Sequence, residues 1–311
     1  VCESNQLSTQ AEIFYRQKTN LLKAVELYKA AFQLNLTDGS KCLDALSAAT
    51  MLMDTSSVIE FLGNSISIGI SPASIKNLWQ HLGNGLEYNY LISNVDTTAI
   101  INKYTANLDS FMIKQLDVLA ENDQKYRGEE NYEWALQRAL DSLNWIELKA
   151  IVQKNGRLPN YEEIGLAGQE NLKILFFHMD KEIMEWFIPY IIKCVNEDNS
   201  NLGRIVLYQL DRIGMSEGLV FTITSNYKIE TLSIRTKMKN GYYCQSFGEW
   251  FDETSRIDNK VYETPIDPNL NINEVNEIRK LFCLDSIEEK RQRKPWVNVV
   301  TIGEFESLIN E

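Results

Sequence analysis

The sequence predicts a mainly α protein: a helical, repeat-like module over residues 1–104, then a helical domain over 105–311 with a small antiparallel β insertion at about 219–250. Three observations predict it. Apolar residues recur at helical spacing along most of the chain, the periodicity of an amphipathic helix. The hydrophobic fraction is 44% and the charged fraction 24%, enough apolar mass for a buried core. Between about 219 and 246 the texture changes to alternating β-branched and aromatic residues.

The elements follow in order. Apolar positions through 12–17 continue, after a turn near Thr19-Asn20, into 21–32, and Asp38-Gly39 breaks the pattern. Further helical runs span 42–53, 57–65 and 74–82. Pro72 and Ser74 place a turn and an N-cap before the last of these, and Gly83-Asn84-Gly85 stops it. Residues 93–107, rich in Asn and Thr, read as a connector. Beyond it Leu108, Phe111, Met112, Leu116 and Leu119 share one helical face. Helices are expected at 130–155, 168–197 and 202–213, punctuated by Gly156, Pro159 and Asp198-Asn199-Ser200. The segments 219–224, 231–238 and 241–246 read as strands, and Lys239-Asn240-Gly241 holds the Asn-Gly pair favoured in hairpin turns. A helix returns at 273–282, and 297–302 reads as a final strand.

In the first helix pair, Tyr15, Ala24, Tyr28 and Ala31 stand at spacings that resemble tetratricopeptide repeats. That resemblance implies small residues where neighbouring helices approach and aromatics between them. A second copy starting near Lys41 departs from the pattern, with Phe61 in the aromatic place and Ser57 where Ala is expected. The resemblance implies a peptide or protein partner for these helices.

Charge and composition exclude several functions. The net charge of -12 argues against nucleic acid, which is neutralised by clustered Lys and Arg. The one dense basic run, Lys290-Arg291-Gln292-Arg293-Lys294, reads as a solvated cluster ending a helix, where cations suit the dipole. The five cysteines are dispersed and never spaced Cys-x-x-Cys, so no thiolate metal knuckle is expected. No run approaches the roughly twenty apolar residues of a membrane span. A chain beginning at Val1 fits an extracytoplasmic destination after signal-peptide removal as well as a cytoplasmic one.

Common catalytic signatures are missing or misplaced. Gly214-Met215-Ser216-Glu217-Gly218 fits the Gly-x-Ser-x-Gly expression of serine hydrolases, but that elbow needs a strand before the Ser and a helix after it. Here a helix precedes and a strand follows, so a helix-to-strand turn accounts for the glycines. The two histidines, His81 and His178, form no zinc-ligand spacing, and there is no phosphate loop or dinucleotide fingerprint. No metal and no cofactor are expected.

Polar residues on core-facing positions stand out instead. Asp123 continues the stripe of Leu116 and Leu119, and Arg127 lies one turn further. His178 sits among Leu175, Phe176, Phe177 and Met179, while Asp211-Arg212 ends an apolar helical run. A charge on a buried stripe must be paired, because its desolvation otherwise costs several kcal/mol. These residues are therefore expected to meet one another, to line a wet pocket, or, for Asp123 and Arg127, to pair locally at i,i+4.

The order Asp123-Gln124-x-x-Arg127, Gly156 with Pro159, Gly165, His178-Met179-Asp180, Asp211-Arg212, and Pro265-Ile266-Asp267 with Arg279 and Leu284 resembles a bacterial family catalogued as domain of unknown function 6624. The resemblance covers about residues 108–290 and implies a mostly helical domain without an assigned chemistry. Phe177 stands where the family has Gln before the His, Arg157-Leu158 where it tends to have Trp, and Tyr242-Tyr243-Cys244-Gln245 in place of Tyr-Gly-Thr-Gln. The expectation is a binding or scaffold protein whose polar pocket uses Gln124, Arg127, Arg212, Tyr243 and Gln245. The alternative is a hydrolase- or transferase-like enzyme with His178 as general acid or base beside Asp123 and Asp211.

Overall fold

The computed structural model describes residues 2–35, 38–82, 85–128, 133–198, 202–237, 245–247, 256–257, 260–263, 265–294, 297–299 and 302–308. They are mainly helical and fall into two compact units, 1–175 with 196–200 and 176–195 with 201–311. No helix among the described residues is long and apolar enough to cross a membrane.

The first unit begins with α1 (Cys2–Gln17), α2 (Leu21–Leu34), α3 (Gly39–Met51) and α4 (Thr55–Ser67), followed by α5 (Pro72–Leu82) and the short α6 (Tyr88–Ser93). Short polar side chains start these helices by accepting from free first-turn N–H groups: Asn20 for α2, Asp38 for α3 and Asp54 for α4. Ala24, Tyr28, Ala31, Ala45 and Ala48 are completely buried, so α2 and α3 approach closely while aromatic rings fill the space beside them. Phe32 meets the Phe61 ring edge-on at 5.7 Å.

The stretch expected as a connector at 93–107 is largely helical: α7 (Thr97–Asn107) packs on α4. Its start is capped by Asp96, which accepts from Ala99 N at 3.0 Å. Ile100 and Tyr104, one turn apart, are its half-buried apolar positions, and Leu108 follows as the extended C-cap. The polar composition concealed both signals. There follow α8 (Ser110–Gln124), α9 (Trp134–Asn155) and α10 (Tyr161–Phe177). Gly156 ends α9 in the left-handed conformation that favours glycine (φ 69°).

The seam expected near residue 105 falls inside this first unit, and Tyr104 shows why. Its hydroxyl lies in a slot between Gly69 and Gly165, where a Cβ on either glycine would collide with it, and accepts from Leu166 N. Tyr161 donates to Ile68 O in the same region, and Asp109 N donates to Glu163 O at 2.8 Å. Gly165 has φ 59° and ψ -167°, a region essentially reserved for glycine, and kinks α10 there. We expect Gly165→Ala to lower the unfolding free energy by about 3 kcal/mol, from backbone strain plus overpacking against Tyr104. A urea midpoint within error of wild type would refute this.

The second unit contains most of α11 (Lys181–Asp198), then α12 (Leu202–Glu217), β1 (Leu219–Ile223) and β2 (Ile229–Ile234). The single helix expected over 168–197 is interrupted: the chain turns at His178–Asp180, and Asp180 caps α11 by accepting from Ile183 N at 2.8 Å. Apolar residues on both sides masked that break. β1 and β2 pair antiparallel, Leu219 opposite Ile234 and Ile223 opposite Ile229. Their turn is at 224–228, where Tyr227 adopts φ 64° and Thr224 N donates to Lys228 O. The Asn-Gly turn expected at Lys239-Asn240-Gly241, between the segments 231–238 and 241–246, lies outside the described residues.

Beyond these, β3 (Arg256–Ile257) and β4 (Lys260–Tyr262) pair antiparallel. The helices α13 (Ile272–Leu281) and α14 (Ile287–Arg293) precede β5 (Val297–Asn298), which pairs parallel with β4, and α15 (Ile302–Leu308) follows. The last strand is therefore shorter than 297–302, and Ile302 opens a helix. The basic run does end a helix but is not simply solvated: Lys290 and Arg293 are buried, and Arg293 donates to Asp285.

Candidate functional site

Two consecutive helices of the first unit carry the densest polar cluster predicted from the sequence. Asp123, 1% exposed near the end of α8, receives Gln124 Nε2 at 2.6 Å. Arg127 reaches back with Nε to Asp123 O at 2.7 Å and with Nη2 to Asp123 Oδ1 at 3.4 Å. The expected i,i+4 pair therefore exists, and Arg127 Nη2 extends it to Asp141 Oδ2 on α9 at 2.7 Å.

Gln137, fully buried on α9, completes the lock. Its carbonyl accepts from Tyr126 N at 2.8 Å, and its amide donates to Asn122 O and to Asp141 Oδ1. The bonds to Asn122 O on α8 and to Tyr126 N just beyond it tie α9 to the end of α8, while the bond to Asp141 lies within α9. No sequence signal marked Gln137 or Asp141, because their partners lie at unrelated spacings across a turn. Gln124 itself is exposed. The cluster holds the helix pair at a set angle, and its hydrogen-bonding capacity is largely spent within itself.

The remaining predicted residues belong to the second unit. Asp211 is completely buried in the second half of α12: Oδ1 accepts from Arg235 Nη1 at 2.6 Å and Ser246 N at 2.8 Å, and Oδ2 from Ser246 N and Phe247 N. Arg235 also donates to Leu219 O and Ser246 Oγ. Gly214 makes room for this guanidinium, since a Cβ there would strike Arg235 and Leu219 O. Of the two glycines flanking Ser216, only Gly218 (φ 69°) serves the helix-to-strand turn. Ser216 lies in the exposed last turn of α12 and donates to Ile213 O.

His178 is half-buried with its ring edge against Phe177, 5.3 Å between centroids. Phe177 stacks on Tyr208, and the exposed Arg212 lies over the Phe177 ring at 5.3 Å. Phe177 thus builds an aromatic layer with Tyr208, covered by Arg212. Gln245 is buried, bridges to Ile266 through the backbone, and approaches Glu263 Oε1 at 3.5 Å. Tyr243 lies outside the described residues. Asp123, Gln124 and Arg127 are thus brought together in one unit; Asp211 is held in the other by Arg235, a partner that the sequence did not single out.

Alongside the α8–α9 lock runs an open groove of about 580 Å³. The helices are antiparallel there, as the Asn122–Gln137 and Leu119–Asn144 contacts show. Phe111 and Val118 on α8 and Leu143 on α9 line it, whereas Leu136, two turns before Leu143 on α9, is not among its lining residues. These four are exposed at 67%, 48%, 57% and 46%. Asn144, 1% exposed, also lines the groove; its Nδ2 donates to Leu119 O at 3.0 Å, while its Oδ1 accepts nothing among the described residues. Lys114 stands on the α8 side and Glu147 on the α9 side.

Fold and surface together define a mainly helical protein with an apolar groove between two locked helices. No family model, no curated protein and no solved structure matches the chain.

Proposed function

We propose that this chain is a binding protein whose α8–α9 groove takes an amphipathic helix of a partner polypeptide. The observation that carries the reading is the apolar face of Phe111, Val118 and Leu143, left in water along a groove whose inner wall holds an acceptor unfilled among the described residues. Large contiguous apolar exposure marks interaction surfaces. Among the exposed large apolar residues of the N-terminal region, Leu22 and Leu34 stand at opposite ends of α2 and Met53 follows α3. In this proposal the partner surface therefore moves from those helices to α8–α9.

The chemistry of the groove describes the occupant. From Phe111 to Asn122 the groove follows α8 for roughly 16 Å, about three helical turns. A helix laid into such a groove presents apolar anchors at i, i+3, i+4 and i+7. A Gln, Asn or Trp on its inner face would donate to Asn144 Oδ1, offsetting the cost of a buried unmet acceptor. Lys114 and Glu147 call for an acid on one flank of the helix and a base on the other.

The test uses a fluorescent synthetic amphipathic peptide with a leucine face, one central glutamine, and opposite charges on its flanks. Wild type is expected to give a saturable anisotropy change, and Leu143→Glu to weaken it at least about tenfold, the equivalent of 1.4 kcal/mol. The melting temperature of Leu143→Glu should stay near wild type, because the side chain is exposed. Equal binding by both proteins, or none by wild type, would count against the proposal.

A further inference from the structure

We propose that the second unit holds a separate site for a small monocarboxylate with an apolar body, bound by Arg291 in the cavity beside Glu263. The site is independent of the α8–α9 groove. The cavity measures about 470 Å³, and Glu263, Pro265, Ile266, Arg291, Val299 and Ile302 are among the residues that line it. Ligand cavities commonly run from roughly 300 to 1,000 Å³, so this one suits a small molecule.

Glu263 is 1% exposed and fixed on every side. Its N–H donates to Asn298 O at 2.9 Å, its Oε2 accepts from Arg291 Nε at 2.8 Å, and its Oε1 faces the buried Gln245 amide. Only one of the five guanidinium N–H groups of Arg291 is used in this contact. Nη1 and Nη2 bond no described residue, and the side chain keeps 33% of its exposure. The ion pair thus anchors Arg291 by its inner nitrogen and leaves the outer edge of the fork available. That edge is the one that matches a carboxylate with two parallel bonds.

Charge and shape narrow the ligand class. Glu263 already balances Arg291, so a single added negative charge is tolerated, whereas a dianion such as phosphate meets repulsion from Glu263. Pro265, Ile266, Val299 and Ile302 offer walls without hydrogen-bonding side chains, which favour a hydrocarbon body. A neutral alcohol of the same length would fill the walls but leave the guanidinium edge unmatched.

The experiment is calorimetric titration of the full chain with octanoate, with 1-octanol and inorganic phosphate as comparison probes. Octanoate should bind saturably at one site, and 1-octanol and phosphate at least tenfold more weakly. Two variants locate the site. Arg291→Gln removes the fork but also strands the buried Glu263. Gly303→Trp avoids that problem: Gly303 lines the cavity, a Cβ there meets open space, and the ion pair is untouched. Each variant should weaken octanoate at least tenfold, and Gly303→Trp should keep the wild-type melting temperature in the absence of ligand. Absence of saturable octanoate binding, unchanged binding to Gly303→Trp, or equal binding of 1-octanol or phosphate would each overturn the assignment.

Discussion

Asp211→Ala is expected to lower the unfolding free energy by about 4 kcal/mol, the range found when one partner of a buried ion pair is removed. The reason is the geometry of the pair. Both side chains of the Asp211–Arg235 bridge have no solvent exposure. Without the carboxylate, Arg235 keeps a full charge in the interior, and the N–H groups of Ser246 and Phe247 lose their acceptor. The strands and helices it joins are α12, the end of the β1–β2 hairpin and the segment at 245–247. A double replacement, Asp211→Leu with Arg235→Met, should recover much of the loss, because it removes the stranded charge along with its partner. Urea unfolding of the three proteins checks this. A single-variant loss below about 1 kcal/mol, or a double variant as unstable as the single, would show that the pair does not organise this unit.

The second large effect depends on pH. Asp285 joins α13 to α14: Oδ1 accepts from Arg279 Nη2 at 3.1 Å and Oδ2 from Arg293 Nε at 2.9 Å, while Arg279 Nε also donates to Asp285 O. Burial by itself would raise its pKa, but Arg293 and then Arg279 more than reverse this and hold the carboxyl below its usual range. A carboxylate depressed in the folded state contributes stability that is complete above its unfolded pKa, near 3.9. That stability is lost as pH falls through the lower, folded value. Asp285→Asn should therefore be about 3 kcal/mol less stable than wild type at pH 7, and the gap should shrink as pH falls below about 4. Unfolding curves at both pH values report it; a gap that stays constant would sink the ion-pair account.

Much of the helical body was legible from its apolar stripes, though the cap expected at Ser74 is supplied by Ser71, whose Oγ accepts from Ser74 N inside the first turn of α5. The runs expected at 42–53 and 74–82 correspond to Gly39–Met51 and Pro72–Leu82, each within a few residues. Thr97–Asn107 escaped because Asn and Thr are frequent in it and, of its apolar residues, only Ile100 and Tyr104 are half-buried. The break at His178–Asp180 was hidden by continuous apolar periodicity, although Asp180 is an ordinary N-cap. The β1–β2 turn carried no Asn-Gly or Asp-Gly signal: it uses Asn226 and a left-handed Tyr227.

The site was legible only where contacts are local. Asp123 and Arg127 could be paired by counting one helical turn. Arg235 could not be matched to Asp211, since 24 residues separate them and no spacing rule spans a helix-to-hairpin junction. The unmet acceptor of Asn144 has no signature at all, because it depends on what fails to reach it. The apolar face around it was partly visible: Phe111 was assigned to the core stripe of α8, yet it is the residue that stripe turns outward.

The Tyr104 slot has a bearing on the order in which the first unit assembles. The helices α1 to α4 meet partners close in sequence, contacts that form early because little chain entropy is lost. The Tyr161–Ile68 bond closes a loop of 93 residues, and the Leu166–Tyr104 bond one of 62. Such long closures come after the local pairs, so the slot belongs to the late side of the folding barrier. Strain placed there, as in Gly165→Ala, should steepen the unfolding rate far more than it slows refolding. The two positive-φ glycines around one hydroxyl would then govern how long the first unit stays closed, more than how quickly it forms.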